Sequence, residues 1–102
     1  MYVIYYVHAY TQNRTNKYTP RQSMKAFTYL LKSGKDNSYY VGICADCDKR
    51  IEQHNAGKVE STKNKRPWSL VYNKEHKDYI EARKHEKWLK KKNREYKDGL
   101  AG

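Results

Sequence analysis

The chain has 102 residues, enough for one domain, and carries a formal net charge of +11 at pH 7. Only 37% of the residues are apolar, so the core must be small, and the charge favours a polyanionic partner. Two cysteines are too few for a disulfide scaffold, and no apolar run reaches the length of a membrane span. We expect a cytoplasmic protein with reduced thiols.

Residues 1–23 differ in character from the rest of the chain. Residues 1–10 are apolar and tyrosine-rich and could form one strand, whereas residues 11–23 are polar, contain a proline and lack any period. The apolar start is too short for the core of a signal peptide and has no basic segment before it. We predict an N-terminal extension over residues 1–23, flexible or weakly ordered, and a domain over residues 24–102.

Two predicted strands open this domain. Residues 26–32 begin with aromatic and β-branched side chains, residues 33–38 form a turn cluster, and residues 39–44 return as the second strand. Asp46 then suits the N-cap of a helix that should end near Gly57.

The second half of the domain adds one strand and one helix. After a basic loop, residues 67–72 form a strand that starts with a proline, where no ladder hydrogen bond is lost. Asp78 can cap a long helix over about residues 79–92, and residues 93–102 should fray into a basic tail. The order β-β-α-β-α predicts an α/β (α+β) domain in which helices flank a small three-stranded antiparallel sheet.

The first predicted helix carries Arg50 and His54, one turn apart. An arginine offers a planar fork of donors that suits a phosphate, and a histidine titrates near neutral pH. Both side chains could contact one phosphodiester, although spacing alone favours solvated side chains on a surface helix.

The second predicted helix places Glu86 on the stripe that should face the sheet. A carboxylate is costly to bury there without a partner. Glu86 could pair with Arg50, or it could hold a divalent cation, because Mg²⁺ is commonly bound through one or two carboxylates plus phosphate oxygens and water. A plain ion pair to Arg83 or Lys90 agrees equally well with the spacing.

Basic residues cluster in the domain and alternate with aromatic side chains, including Trp68 and Trp88. This pattern favours contact with a nucleic-acid backbone. The side chains that we expect to make this contact are Lys63, Lys65, Arg66, Lys87 and Lys90. A different class of function is a basic adaptor that docks a protein partner through a surface formed by Trp68 and Trp88.

Cys44 and Cys47 form a CxxC pair, but a second such pair is absent and the nearest histidine, His54, lies seven residues on. A structural zinc site needs four ligands. We therefore interpret the two cysteines as small core residues.

Five segments, in this order and at these spacings, resemble the GIY-YIG nuclease family over about residues 25–97. The nearest resemblance is to small single-domain bacterial members related to the nuclease module of the excision-repair incision enzyme. The first motif lacks its glycine and isoleucine, and Val41 replaces an isoleucine in the second. The segments are Thr28-Tyr29-Leu30, Tyr40-Val41-Gly42, the helical stretch from Arg50 to Asn55, the stretch from Arg66 to Tyr72, and the helix from Glu81 through Glu86 to Lys90.

The resemblance implies a divalent-metal-dependent endonuclease that hydrolyses phosphodiester bonds in DNA, with a role in repair or recombination. A nucleic-acid-binding module with little or no cleavage activity is the alternative. The resemblance also implies that Gly42 lets the backbone turn tightly beneath the site.

Each implied catalytic residue has a role in this resemblance. Tyr29 would act as general base or orient the attacking water, and Tyr40 would help to place water or phosphate. Arg50 would stabilise charge on the scissile phosphate, and His54 would assist proton transfer or hold Tyr29. Glu86 would hold one Mg²⁺ or Mn²⁺.

Overall fold

The computed structural model describes residues 24–102, so the predicted strand and linker of the extension lie outside the described residues. The described chain forms three strands and three α-helices, with a 3₁₀ turn over Lys63–Lys65 in the basic loop. The elements are β1 (Ala26–Ser33), β2 (Tyr39–Cys44), α1 (Cys47–Asn55), β3 (Trp68–His76), α2 (Tyr79–Lys90) and α3 (Arg94–Ala101). The predicted three-stranded antiparallel sheet with flanking helices is confirmed.

Strand β1 lies at the centre of the sheet, between β2 and β3. In the β1–β2 register Tyr29 is opposite Gly42, and Leu31 is opposite Tyr40. Because successive side chains of a strand point to opposite faces, Tyr29 and Tyr40 share one face, whereas Thr28 points to the other.

Each face of the sheet is covered by a different helix. On the Tyr29 face, the core cluster contains Trp68, and Ile51 of α1 packs against it. On the other face, Ala82 and Leu89 of α2 belong to clusters with buried side chains of β1 and β2. Helices α1 and α2 therefore lie on opposite sides of the sheet.

Side-chain hydrogen bonds fix where the helices begin. Asp46 accepts from Lys49 N at 3.2 Å, and Asp78 accepts from Glu81 N at 2.9 Å, as expected of N-caps. A further contact holds α2 on the sheet, because the Thr28 hydroxyl donates to the Ala82 carbonyl at 2.9 Å.

Two predictions about the C-terminal half are wrong. The third strand continues past residue 72 to His76, because its polar end pairs with the start of β1, where Ala26 is opposite His76. The predicted fraying tail contains helix α3 instead: Asn93 caps it by accepting from Tyr96 N at 2.9 Å, and Leu100 packs on a core cluster. Hydrophobic burial and the cap outweigh the high charge of the segment.

The alternative of an adaptor surface formed by Trp68 and Trp88 together is also wrong. Trp68 is buried, and its indole N–H donates to the Thr62 carbonyl at 2.8 Å. Of the two tryptophans, only Trp88 is exposed. Within residues 24–102, no helix combines the length and the apolar character needed to cross a membrane.

Replacing Asp78 by Ala should lower the free energy of unfolding by about 1 kcal/mol, because α2 loses its N-cap acceptor. Urea denaturation measures this loss. Lys77→Ala, at the exposed neighbouring position, is the matched control and should leave the midpoint unchanged. Equal effects of the two substitutions would show that the cap does not stabilise the helix.

We propose that residues 24–102 fold as one unit, because all three strands and all three helices contribute side chains to the described core clusters. Deleting residues 1–23 should change the melting temperature little, as measured by circular dichroism. A large drop in melting temperature would mean that the extension is part of the folded core.

Candidate active site

Tyr29 lies at the centre of the candidate site. Its side chain is buried and crosses over Gly42 of the neighbouring strand. A Cβ atom at Gly42 would overlap the Tyr29 hydroxyl and ring. The expectation that Gly42 provides a tight turn is wrong, because it lies inside β2, where its missing side chain makes room for the phenol.

The Tyr29 hydroxyl joins two side chains of α1. It lies 2.8 Å from Nε2 of His54, and it accepts from Nε of Arg50 at 3.3 Å. Arg50 and His54 are one turn apart, as the sequence indicated, but both are buried rather than solvated. A strand and a helix distant in sequence therefore meet at one phenol oxygen.

Thr62 fixes the other side of the imidazole. Nδ1 of His54 lies 2.8 Å from the Thr62 hydroxyl, which donates onward to the Val59 carbonyl at 3.4 Å. Because the Thr62 hydroxyl proton is used in that bond, the Thr62 oxygen must accept from a proton on Nδ1 of His54. Nε2 then carries no proton and accepts from the Tyr29 hydroxyl. Thr62 is a positioning residue that the sequence reasoning missed, because the basic loop gave no signal that its threonine turns inward.

Burial sets the charge state of this network. Burial, with the nearby Arg50 charge, lowers the pKa of His54 to about 4. Burial also raises the pKa of Tyr29 far above its ordinary value, although Arg50 acts in the opposite direction. At neutral pH the phenol is therefore protonated, and the imidazole is neutral and able to accept its proton.

Tyr40 packs against the same network. Its ring centroid lies 5.0 Å from that of His54 and 6.4 Å from that of Tyr29. Burial raises the pKa of Tyr40, so its hydroxyl is also protonated at neutral pH. The guanidinium of Arg50 is held in place by a second contact, since Nη1 donates to Oε1 of Gln53 at 2.8 Å.

Asn55 closes this side of the site by joining α1 to β3. Its amide donates to the Trp68 carbonyl at 3.0 Å and accepts from Trp68 N at 2.7 Å. These paired hydrogen bonds hold the end of α1, and with it His54, against the sheet.

Glu86 does not lie in this cluster of side chains. It is buried on α2, in the stripe between Ala82 and Leu89, and that stripe packs on the sheet face opposite to Tyr29. The two faces come closest around β2, which is an edge strand, and Tyr40 packs against clusters of both faces. Of the five predicted catalytic residues, the structure brings four together and places Glu86 beyond them.

The Glu86 carboxylate is buried beside one cationic side chain. Nζ of Lys90 lies 3.3 Å from Glu86 Oε2, which matches the plain ion pair that the sequence left open. This contact falls outside hydrogen-bond geometry, so Oε2 is buried without a hydrogen bond to the described residues. Burial raises the pKa of Glu86, and Lys90 and Lys87 act in the opposite direction.

A single carboxylate limits which metal could bind there. Within residues 24–102, no group of three or more His, Cys, Asp or Glu side chains is arranged so that it could hold a metal ion. One acid fits Mg²⁺ or Mn²⁺, which keep waters and phosphate oxygens as their other ligands. The sulfurs of Cys44 and Cys47 are 3.1 Å apart. Among the described residues they have no further ligands that would complete a structural zinc site.

The predicted nucleic-acid-binding residues fall into two groups. Lys63 and Arg66 line an open groove of about 480 Å³ that also reaches Asn55 at the end of α1, whereas Lys65 is not part of its lining. Lys65 is exposed, and its ion pair with Asp36, at 3.4 Å, is open to solvent. Lys87 and Lys90 are exposed on α2 and lie outside this groove.

Comparisons with known proteins agree with this architecture. The GIY-YIG catalytic domain matches residues 25–98. A UPF0213 protein of Streptococcus sanguinis (strain SK36) is 38% identical over 74 residues, which cover 72% of this chain and 84% of the relative. The UPF0213 protein YazA of Bacillus subtilis (strain 168) is 38% identical over 73 residues, 71% of this chain and 73% of the relative.

Among solved structures, the solution NMR structure of a UPF0213 protein from Bacillus halodurans aligns with a TM-score of 0.48 and 33% identity. That alignment covers 76% of this chain and 82% of the other. The family match spans most of the chain and includes Tyr29, Arg50, His54 and Glu86. The chain belongs to the GIY-YIG catalytic-domain family.

Proposed function

We propose that this protein is a divalent-metal-dependent endonuclease that hydrolyses phosphodiester bonds in DNA. Membership of a nuclease family supports the reaction class. The observation that carries the proposal is the buried hydrogen bond of 2.8 Å between the Tyr29 hydroxyl and Nε2 of His54, beside Arg50. A protonated phenol joined to a neutral imidazole is an arrangement able to move a proton.

The charge states favour a proton relay over a free phenolate. The attacking water gives its proton to the Tyr29 oxygen while the phenol proton passes to Nε2 of His54. The raised pKa of Tyr29 disfavours a standing phenolate, and the lowered pKa of His54 keeps Nε2 available as the acceptor. Tyr29 and His54 are buried, so water must enter with the substrate as the site opens locally.

Arg50 and Tyr40 act on the phosphate in this proposal. The Arg50 guanidinium, which donates to the Tyr29 oxygen and to Gln53, would stabilise charge that develops on the scissile group. Tyr40, at the edge strand, orients water or a phosphate oxygen through its hydroxyl.

Glu86 is the residue that would hold Mg²⁺ or Mn²⁺. A metal ion bound there would polarise the phosphate and stabilise the leaving oxygen. Because Glu86 and Tyr29 lie on different faces, we propose that the scissile phosphate sits at the β2 edge, where both faces can be reached. Lys90 then shifts from the Glu86 carboxylate to the nucleic-acid backbone.

The basic groove supports a nucleic-acid substrate. Lys63 and Arg66 line it near the end of α1, which carries His54, and Lys65 lies between them in the chain. Phosphate contacts of this kind position a duplex without reading its sequence, so we expect weak sequence specificity. A role in repair or recombination and a cytoplasmic location stay predictions.

A binding module with little or no cleavage is the second candidate. The observation that favours it is the closed state of the network, because Arg50 and His54 are buried. Under this alternative the protein binds DNA in a salt-dependent way and leaves a supercoiled plasmid intact with either metal.

Glu86→Gln should reduce nicking of supercoiled plasmid in Mg²⁺ or Mn²⁺ by at least about 100-fold, since the substitution removes the only acid proposed to hold the metal. Glu81→Gln, on the same helix with an exposed partner in Lys84, is the matched control and should nick normally. Circular dichroism should show both variants folded. Equal nicking by Glu86→Gln and the unaltered protein would reject the assigned metal residue.

The stability of the protein should depend on pH through His54. Its pKa is lower in the folded state, about 4, than in the unfolded chain, about 6.5, so unfolding takes up a proton between these values. The contribution to stability is complete above pH 6.5 and falls by about 3 kcal/mol as the pH drops to 4. Urea denaturation at several pH values measures this slope.

His54→Gln is the comparison for the pH experiment, because His76 and His85, whose pKa values are also lowered, remain in both proteins. The difference between the two stability curves should narrow below pH 6.5. A constant difference across this range would mean that His54 is not neutral and buried in solution.

A further inference from the structure

Two aromatic side chains are exposed together where α2 meets α3. Trp88 is 43% exposed and Tyr96 is 41% exposed. Their ring centroids are 5.6 Å apart, and the rings meet edge to face. Nζ of Lys92 lies 4.4 Å from the Trp88 ring centre and 5.5 Å from that of Tyr96, within the range of cation–π attraction.

The local fold holds these rings in place. The Asn93 cap that begins α3 fixes Tyr96 in the first turn, close to the end of α2. His85 stacks on Trp88 with a centroid distance of 5.3 Å and an interplanar angle of 20°. Trp88 is therefore backed by a second ring, although it belongs to none of the core clusters of the described residues.

An open groove of about 580 Å³ lies beside the rings. The groove is lined by two lysines, one glutamate and two uncharged side chains, so basic groups outnumber acidic ones. These residues are Lys91, Lys92, Asn93, Glu95 and Tyr96. Aromatic rings beside lysines, on a chain with a net charge of +11, are complementary to a ligand that combines flat bases with phosphates.

We propose that Trp88 and Tyr96 form a stacking platform for unpaired bases of single-stranded nucleic acid, and that Lys92 moves off the rings to contact its phosphates together with Lys91. The inference rests on the proposed function and narrows its substrate to nucleic acid that has a single-stranded part. A base within a duplex is already stacked and cannot lie on these rings, whereas an unpaired base offers its face to an aromatic side chain.

The platform lies close to the proposed metal residue along the chain. Trp88 follows Glu86 by two residues on α2, roughly 3 Å along the helix axis, and points away from the buried stripe. Its backing ring, His85, contacts Tyr72 and His76 of β3, so a strand bound at the β2 edge reaches the platform by crossing α2. This placement favours cleavage at some distance from the unpaired segment.

The test is binding without metal, so that it does not depend on cleavage. Fluorescence anisotropy would follow labelled oligothymidylate and oligouridylate of about ten nucleotides, and a duplex, over a range of salt concentrations. Trp88→Ala should weaken binding of the single strands by about 5- to 100-fold, the usual effect of losing one stacking ring, and leave duplex binding within about twofold. Trp88→Phe should retain most of the single-strand affinity.

Two further variants make the result decisive. Ile80→Ala removes another exposed apolar side chain of α2 and should change neither affinity. Tyr96→Leu replaces the second ring in α3, and it should reproduce the selective loss even where Trp88→Ala disturbs the fold. The difference between the thymidylate and uridylate affinities identifies DNA or RNA as the preferred source of the unpaired bases.

The proposal is overturned if Trp88→Ala and Tyr96→Leu leave single-strand binding unchanged, or weaken single strands and duplex equally. The second outcome would indicate a general basic surface or a site for another macromolecule. Failure of the nuclease assignment would look different: no nicking by the unaltered protein, together with single-strand binding that still depends on Trp88.

Discussion

The hydrogen bond between the Tyr29 hydroxyl and Nε2 of His54 is the contact on which the rest of the candidate site depends. It joins the central strand to α1 across a buried space that Gly42 leaves open. Thr62 orients the imidazole from its far side, and Arg50 donates to the same phenol oxygen. Burial then makes the phenol a donor and the imidazole an acceptor, because each group is held in its neutral form.

The sheet lies between Glu86 and the Tyr29 network. The proposed chemistry therefore has to take place at an edge of the sheet, where both faces can be reached. Helix α2 buries an acid against one face, and α1 buries a base and a guanidinium against the other. Strand β2 is the common border, and Tyr40 on it packs toward both faces. A phosphate bound at this border would lie between the proposed metal residue and the proposed proton relay, with the exposed rings of α2 and α3 on the side of α2 that contacts β3.

Local patterns in the sequence predicted much of the fold. Asp46 and Asp78 identified two helix starts because capping depends on adjacent residues. The helical spacing placed Arg50 and His54 on one face, but spacing does not reveal whether that face is buried. The helix α3 and the inward turn of Thr62 depend on contacts with distant strands and loops, which no local pattern contains. For Glu86, the spacing indicated the buried stripe but not the side of the sheet on which its helix lies.

The central claim is that the Tyr29–His54 pair moves a proton during phosphodiester cleavage, and Tyr29→Phe tests it most directly. This substitution keeps the ring that packs over Gly42 and removes only the hydroxyl. Single-turnover cleavage of plasmid DNA should slow by about 100- to 10,000-fold, the usual range for general acid–base catalysis, while the melting temperature changes little. Cleavage by folded Tyr29→Phe at the rate of the unaltered protein would contradict the account.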